Sequence, residues 1–322
     1  MSNTLTKVGG VVIACVVFCA FALNNACASD TKTSQALSHY ILGLMHDRLG
    51  QYDLAVPEFT AALKADYDIS VIHVSLAVAY IKNNELAKAV NELNCAAGLD
   101  PQAVEPHAIL ALLYSAQNKN TAANQEYEIA LRNATLLEPK NVDMYKSLAA
   151  VYMQQKKLPE AENTYRLIIE LAPNDAEARF YLGSVLDLQK KRPLAEVEFK
   201  KAIELKADYA EALNYLGYMY IEDNRNLDSA ERLINKALAL QPDNGAYLDS
   251  LGWFYFKKGL IAEATKYLKR ASTLIDDPVV FNHLGEAYFK SGDFVKAKDS
   301  WKRSLQLDPS QDALISRLKT LE

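Results

Sequence analysis

The side chains that most often do chemistry in proteins are few in this chain, and their spacing does not suit it. Of the five histidines, His39 and His46 are closest in sequence, and on one helix they would lie two turns apart, too far to bind one metal ion together. The sequence contains no Gly-rich phosphate loop, no His-Glu-x-x-His, no Cys-x-x-Cys and no Gly-x-Ser-x-Gly elbow. We therefore expect histidines that pack or face solvent, and a protein without enzymatic activity, metal or cofactor.

The cysteines point the same way. Cys15, Cys19 and Cys27 fall within the first 28 residues, and Cys95 is the fourth and last cysteine of the chain. Cys95 adjoins Ala96 in a stretch predicted to face the core, where a lone thiol acts as a small hydrophobic group. We expect packing without disulfides to stabilise the protein.

The first 28 residues differ in composition from the rest. Lys7 is their only charge, Val8 to Leu23 is an unbroken apolar run, and Ala26-Cys27-Ala28 offers a small-x-small cleavage site. This layout is typical of a secretory signal peptide, and the run is shorter than the roughly 20 residues of a membrane span. Cleavage, retention as an uncleaved anchor and lipidation are the three alternatives. We expect an exported protein, periplasmic or membrane-associated in a bacterial envelope, with any membrane contact made through this N-terminal segment.

One pattern recurs eight times between residues 36 and 309: a Leu-Gly or Leu-Ala pair, followed at fixed offsets by an Ala, a large apolar residue and a small one. Successive copies are 34, 34, 38, 34, 34, 35 and 33 residues apart. The Gly or Ala markers of the eight pairs are Gly43, Ala77, Ala111, Ala149, Gly183, Gly217, Gly252 and Gly285. A fixed period near 34 predicts stacked helix-turn-helix repeats, and hence an all-α, right-handed α-solenoid.

The repeats and their flanks divide the chain. A polar tether is predicted over 29–35 and a capping helix over 310–322, because the latter segment is apolar on one face only. The eight repeats are predicted at about 36–69, 70–103, 104–141, 142–175, 176–209, 210–244, 245–277 and 278–311.

Repeat three is irregular. Nine residues separate Ala130 from Pro139, whereas five separate Ala96 from Pro101. Four extra residues make about one helical turn, of about 6 Å. The insertion therefore predicts either a second helix that is one turn longer or a bulged loop.

The period and the pattern resemble the tetratricopeptide (TPR) repeat family over residues 36–322, and the clearest copy is Leu248–Tyr255. The segments Ala212–Tyr218, Asn244–Trp253 and His283–Glu286 also resemble the C-terminal repeats of exported bacterial TPR proteins. That group includes outer-membrane lipoproteins that serve as adaptors for periplasmic carboxy-terminal processing proteases.

The family resemblance implies which positions line the concave surface of the solenoid. In the last three repeats they combine aromatic side chains with amides and carboxylates, a mixture typical of a peptide or protein groove. The aligned polar groups of Asn214, Asp249 and Asn282 could hydrogen-bond an extended peptide, whereas packing between repeats is the alternative for Tyr218 and Trp253. The predicted partner-binding residues are Asn214, Tyr218, Asp249, Trp253, Asn282 and Glu286.

These observations predict a non-catalytic scaffold or adaptor of the bacterial cell envelope that binds a protein or peptide. A periplasmic protease and an envelope assembly component are the candidate partners. The alternative is a structural subunit of an envelope assembly or export system, such as a pilus or polysaccharide secretion, bound through the apolar N-terminal third. The net charge of −5, with no basic stripe, argues against nucleic acid.

Overall fold

The structure, a computed structural model, describes residues 31–319 and the side chains of residues 33–318. Seventeen helices and no strand lie between residues 31 and 319, which confirms the predicted all-α fold. The helices are α1 Thr31–Arg48, α2 Tyr52–Ala65, α3 Ser70–Lys82, α4 Leu86–Leu99, α5 Glu105–Ala116, α6 Asn120–Leu137, α7 Val142–Gln154, α8 Leu158–Leu171, α9 Ala176–Leu188, α10 Arg192–Leu205, α11 Ala210–Glu222, α12 Leu227–Leu240, α13 Gly245–Lys257, α14 Ile261–Leu274, α15 Pro278–Ser291, α16 Phe294–Leu307 and α17 Asp312–Lys319.

Successive helices pack as eight pairs, α1 with α2 through α15 with α16, and α17 packs on α16. The chain forms two compact units, the first ending at Leu137 and the second beginning at Glu138. Unit 1 holds the pairs α1/α2 to α5/α6, and unit 2 holds α7/α8 to α15/α16 together with α17. The predicted eight repeats and C-terminal capping helix are thus confirmed as elements.

The turn inside each pair contains a residue with positive φ in an equivalent position: Gly50, Asn84, Asn118, Lys156, Lys190, Asn224, Gly259 or Gly292. The turn between α11 and α12 contains a second such residue, Asn226. A left-handed residue directly after a helix lets the following backbone N–H groups bond to the last carbonyls of that helix. In the second pair, for example, Glu85 N–H donates to the Tyr80 carbonyl at 2.8 Å. A short turn of this kind thus recurs in every pair, with one more residue between α11 and α12 than between α3 and α4, and it fixes the antiparallel entry of the second helix.

The marker residues lie where the two helices of a pair touch. A Cβ atom added at Gly43 would lie 2.6 Å from the Phe59 ring, and one at Gly183 would lie 2.7 Å from the Phe199 ring. Alanine occupies the equivalent position of the second pair, where Ala77 is 0% exposed. The repeat pattern therefore reflects a limit on side-chain size at the helix crossing.

Three histidines that the sequence assigned to packing or the surface join the two helices of their own pair. The ring Nδ1 and the glutamate Oε2 are 2.7 Å apart in each of His39–Glu58, His73–Glu92 and His107–Glu126. The partners are always nineteen residues apart, and Arg179 and Glu198 repeat the spacing in unit 2 at 2.9 Å. His73 and His107 are buried, and the glutamate in each pair satisfies the Nδ1 atom of the ring.

Two expectations about element bounds are settled by the helices. The predicted polar tether over 29–35 is wrong from Thr31 onward, because those residues begin α1. The segment contains no Gly or Pro to stop a helix, so its polarity marked an exposed turn of helix rather than a loop. The insertion in repeat three lengthens α6 to 18 residues, against 14 in α4, so the longer helix is the correct alternative.

The predicted signal peptide over 1–28 lies outside the described residues. None of the helices between residues 31 and 319 is long and apolar enough to span a membrane.

Cys95 is only half-buried, and its Sγ lies 3.2 Å from the Tyr67 hydroxyl, so the expected burial of this thiol is partial.

The capping helix closes the last pair. Leu314 of α17 is buried against Trp301 and Ala297 of α16. The Arg317 guanidinium lies over the Trp301 ring, 4.6 Å from its centroid. Both contacts cover apolar surface of α16, as a capping helix does.

Substitution at the helix crossing tests the size limit. We expect Gly43→Ala to lower the free energy of unfolding by about 1–3 kcal/mol, because the new methyl group must displace the Phe59 ring. Gly98→Ala is the matched control inside α4, where a Cβ meets nothing within 4 Å, and it should stabilise by about 0.5–1 kcal/mol. Urea unfolding followed by circular dichroism measures both, and equal effects would contradict the size limit.

Acid stability tests a charged network in unit 2. Glu196 on α10 accepts hydrogen bonds from Tyr220, Lys200 and Arg225, each at 2.8 Å. Partial burial opposes ionisation, but these three donors lower the pKa of Glu196 from 4.5 to about 2. The resulting stabilisation is complete above pH 4.5 and is lost as the pH falls towards 2.

We expect wild type to lose about 2 kcal/mol more stability than Glu196→Gln between pH 5 and pH 2. Urea unfolding across this pH range measures the difference. Glu204→Gln, at an exposed position of the same helix, should retain the wild-type acid dependence. A Glu196→Gln protein with the full wild-type acid dependence would exclude the network as its source.

Candidate functional site

The six predicted partner-binding residues lie on the first helices of three neighbouring pairs in unit 2. Helix α11 contacts α13, and α13 contacts α15. Each helix carries two of the six at a spacing of four, so both lie on one face of it. The pairs are Asn214 and Tyr218 on α11, Asp249 and Trp253 on α13, and Asn282 and Glu286 on α15. We call this surface the first-helix face of unit 2.

A depression of about 360 Å³ opens on this face, and we call it the main depression. Asn214, Tyr218 and Asp249 line it, whereas Trp253, Asn282 and Glu286 lie outside its lining. The other lining residues are Asp187, Arg192, Tyr215, Met219, Ala246, Ser250, Ile275, Asp277, Val279 and Val280. The walls are therefore largely apolar, with a few charged and amide groups among them.

The side-chain oxygen of Asn214 lacks a hydrogen-bond donor. Its side chain is 9% exposed, and its Oδ1 atom is buried without a hydrogen-bond partner. A buried acceptor left in this state costs about 1–3 kcal/mol. An N–H donor that reached this oxygen would recover the energy.

Asp249 has a partner within the protein. Both of its carboxylate oxygens lie within hydrogen-bonding distance of Nδ1 of His283, at 3.0 and 3.1 Å. Asp249 and His283 are 6% and 7% exposed, and a carboxylate buried to this degree requires such a donor. Asp249 therefore joins α13 to α15 in addition to lining the main depression.

Trp253 connects three consecutive pairs. Its ring stacks on His283 at 3.9 Å between centroids and on Phe256 at 4.7 Å, and its Nε1–H donates to Glu222 at 2.8 Å. These contacts match the packing alternative for Trp253. The ring is still half-buried rather than buried, so one part of it remains open to a partner.

Tyr218 keeps its proton at neutral pH. Burial, followed by the nearby carboxylates of Glu222 and Asp249, raises the pKa of Tyr218 above its usual 10.0. Its hydroxyl group can therefore both donate and accept a hydrogen bond at the edge of the main depression.

The two predicted residues on α15 differ from each other. Glu286 forms an ion pair with Arg317 of the capping helix α17. Asn282 is half-buried and carries no charge. Glu286 thus holds α17 in place, and the partner-binding roles of all six residues stay predictions.

A second depression of about 310 Å³ lies near the start of unit 2, and we call it the tyrosine depression. Tyr165 and Tyr181 stack at 5.6 Å beside it, and Met153 completes its apolar wall. Lys146 lies at its edge, with Nζ 2.8 Å from Asp175 and 2.9 Å from Glu177. Its apolar lining suits a hydrophobic side chain.

Several residues of the site were missed in the sequence. Asp187, Arg192 and Asp277 line the main depression although they lie at helix ends and turns rather than at the predicted inward positions. His283 was expected to pack or face solvent, and its role as the partner of Asp249 was not foreseen. One available signal was its separation from Asp249 of 34 residues, which is one repeat period.

No cluster of three or more His, Cys, Asp or Glu side chains able to hold a metal ion occurs in residues 31–319.

Comparison with known proteins identifies the repeat. One tetratricopeptide repeat model matches residues 40–104, 110–176 and 222–278, and another matches residues 278–311. Together these ranges cover more than half of the 322 residues.

Similar proteins carry the same repeat. A TPR repeat-containing protein of Pseudomonas aeruginosa is 39% identical over 69 residues, which are 21% of this chain and 12% of that protein. A TPR repeat-containing protein of Methanocaldococcus jannaschii is 34% identical over 85 residues, 26% of this chain and 15% of that protein. The matched segments therefore span less than a sixth of either relative.

Among solved structures, that of a tetratricopeptide repeat protein from Parabacteroides merdae aligns with a TM-score of 0.59 at 18% identity. The alignment covers 78% of this chain and 97% of that one, and it shows a shared fold.

Removal of one partner tests the buried pair between α13 and α15. We expect Asp249→Ala to lower the free energy of unfolding by about 3 kcal/mol, because His283 would lose its buried acceptor. Asn282→Ala, on the same face but half-buried, should change it by less than about 0.5 kcal/mol. Urea unfolding measures both values. Similar small losses in the two variants would show that the Asp249–His283 contact contributes little to stability.

Proposed function

This chain belongs to the tetratricopeptide repeat family, and from that premise we propose that it is a non-catalytic scaffold that binds a segment of another protein on the first-helix face of unit 2. Proteins built from this repeat generally mediate protein–protein interactions. The observation that carries the proposal is the main depression, which combines apolar walls with the unpartnered oxygen of Asn214. A peptide or loop supplies both apolar groups and N–H donors.

The physical form of the face supports a segment rather than a small molecule. The main depression and the tyrosine depression hold about 360 and 310 Å³, at the lower end of the range of about 300–1,000 Å³ for ligand pockets. Helix α9 contributes to both, through Tyr181 to the tyrosine depression and Asp187 to the main depression. Two small depressions that share a helix suit separate side chains of one bound chain.

We further propose that the protein acts in a bacterial cell envelope, as an adaptor for a periplasmic protease or an assembly component. The support is the layout of residues 1–28, which matches a secretory signal peptide, and the resemblance of the last three repeats to exported adaptors.

The second candidate is a structural subunit of an envelope assembly, bound through unit 1. Apolar side chains remain exposed there: Leu112 is 59% exposed and Met45 is 55% exposed. Burial of such residues against another subunit would be favourable by about 25 cal/mol per Å² of apolar surface.

Site-specific photo-crosslinking in intact cells tests the proposal. A benzophenone amino acid is placed at Ala246, which is exposed and lines the main depression, or at Ala262, which is exposed on the second helix α14. We expect a defined crosslinked protein from position 246 and none from position 262. The N-terminal residue of the purified protein should be Ser29 if the leader is cleaved.

A third variant, with the crosslinker at position 112, addresses the subunit alternative. Adducts from position 112 with none from position 246 would favour the subunit and reject binding at the main depression. If neither position yields an adduct, protein binding through these surfaces is excluded.

A further inference from the structure

We propose that the main depression binds a basic side chain, lysine or arginine, of the segment that occupies it. The inference rests on the proposed function, because it assumes that a polypeptide segment binds there. The inference adds the chemical class of a side chain in the bound segment. An experiment can reject this class and still support the proposed protein binding.

The charges that line the main depression are unequal. Asp187, Asp249 and Asp277 are carboxylates, and Arg192 is the one Lys or Arg in the lining. Arg192 is already engaged: its Nε–H donates to Asp187 at 3.2 Å, and its Nη1 pairs with Asp223. It is therefore not free to attract an acidic ligand.

Two of the three carboxylates have a cation or a histidine as partner, and the third does not. Asp187 pairs with Arg192, and Asp249 pairs with His283. Asp277 accepts the backbone N–H of Val279 at 2.7 Å as the N-cap of α15 and forms no ion pair within the described part of the chain. Its remaining acceptor capacity faces a site that has no free cation of its own.

The apolar walls complement the rest of a long basic side chain. Tyr215 and Val279 are 43% and 46% exposed, so they offer ring and methyl surface at the opening. The methylene stem of a lysine or arginine packs on such surfaces while its charged head reaches polar groups. The faces of Tyr215 and Tyr218 additionally favour a cation that lies over them.

Asn214 supplies the observation that is independent of charge. Its side chain is 91% buried, because it is 9% exposed, and its Oδ1 lacks a donor. Rotation about the terminal χ2 bond, whose energy profile is broad, can exchange the positions of this oxygen and the amide nitrogen within the lining. Lysine and arginine carry only donors, so they satisfy Asn214 and Asp277 without leaving an acceptor unpaired.

Groups around the site strengthen the preference for a cation. Glu222 accepts the indole N–H of Trp253 and lies close enough to Tyr218 to contribute to the raised pKa of that residue. Asp276, next to Asp277, pairs with Arg303. Within the lining of the main depression, an acidic ligand would meet three carboxylates and a single cation, Arg192, that is already paired.

Selection from a phage-displayed library of random twelve-residue peptides, with the full chain as target, tests the inference. We expect enrichment of lysine or arginine at one position of the selected peptides. Replacement of that residue by norleucine in a synthetic peptide should weaken binding about tenfold in fluorescence anisotropy, since a charge-assisted hydrogen bond is lost. Affinity should also fall as salt is raised.

Asp277→Asn is the decisive protein variant, because asparagine preserves the N-cap and removes only the charge. We expect it to weaken the basic peptide several-fold and to leave the norleucine peptide unchanged. Asp228→Asn, at a position 87% exposed on α12, is the control and should change neither affinity.

Three outcomes would overturn the inference. They are selected peptides without a basic residue, equal binding of the lysine and norleucine peptides, and a library that yields no binder at all. Crosslinking from Ala246 in cells would still support protein binding in each case. Loss of that crosslink would instead remove the proposed function itself.

Discussion

The close contact between a small residue on the first helix and a large residue on the second is the constraint on which the rest of the structure depends. Gly183 meets Phe199 and Gly252 meets Leu268, in each case with no room for a Cβ atom. This contact fixes one face of each first helix against its own partner. Residues on the neighbouring faces of the same helix are then left for contacts outside the pair. Asn214 and Tyr218 lie about 60° and 100° around α11 from Gly217, so they can serve a second purpose.

The same constraint explains why the fold was predictable from the sequence. A limit on side-chain size leaves a visible trace, because only Gly or Ala fits and the large residue follows at a fixed offset. The eight pairs and their order could be inferred from it, whereas the insertion in repeat three left a longer α6 and a bulged loop as alternatives. The start of α1 could not, because polar residues such as Ser34 and Gln35 suit an exposed helical turn as well as a loop.

The candidate site was predictable only in part, since its polar groups find partners in other repeats. The register placed Asn214, Asp249 and Trp253 on the expected helices, but Asp249 pairs with His283 and Trp253 donates to Glu222. Long side chains reach across one repeat, and which acceptor they choose depends on burial and distance rather than on sequence periodicity. Asn214 differs because its oxygen has no such neighbour. Asn214 was thus predicted from its position in the repeat, whereas the structure distinguishes it by a side-chain oxygen that lacks a hydrogen bond.

Helix α6 shows what kinds of length change a chain of this design accepts. Four additional residues turn a helix through about 400°, so the residues beyond them return to within about 40° of their former direction. Ala130 and Ala134 of this helix both remain buried. An insertion of two residues would instead rotate the buried stripe to the opposite side and expose it. Length changes inside a helix of such a protein are therefore restricted to steps of about one turn, whereas the connecting turns accept single residues, as between α11 and α12. The first unit ends at Leu137, where a step of one helical turn is found.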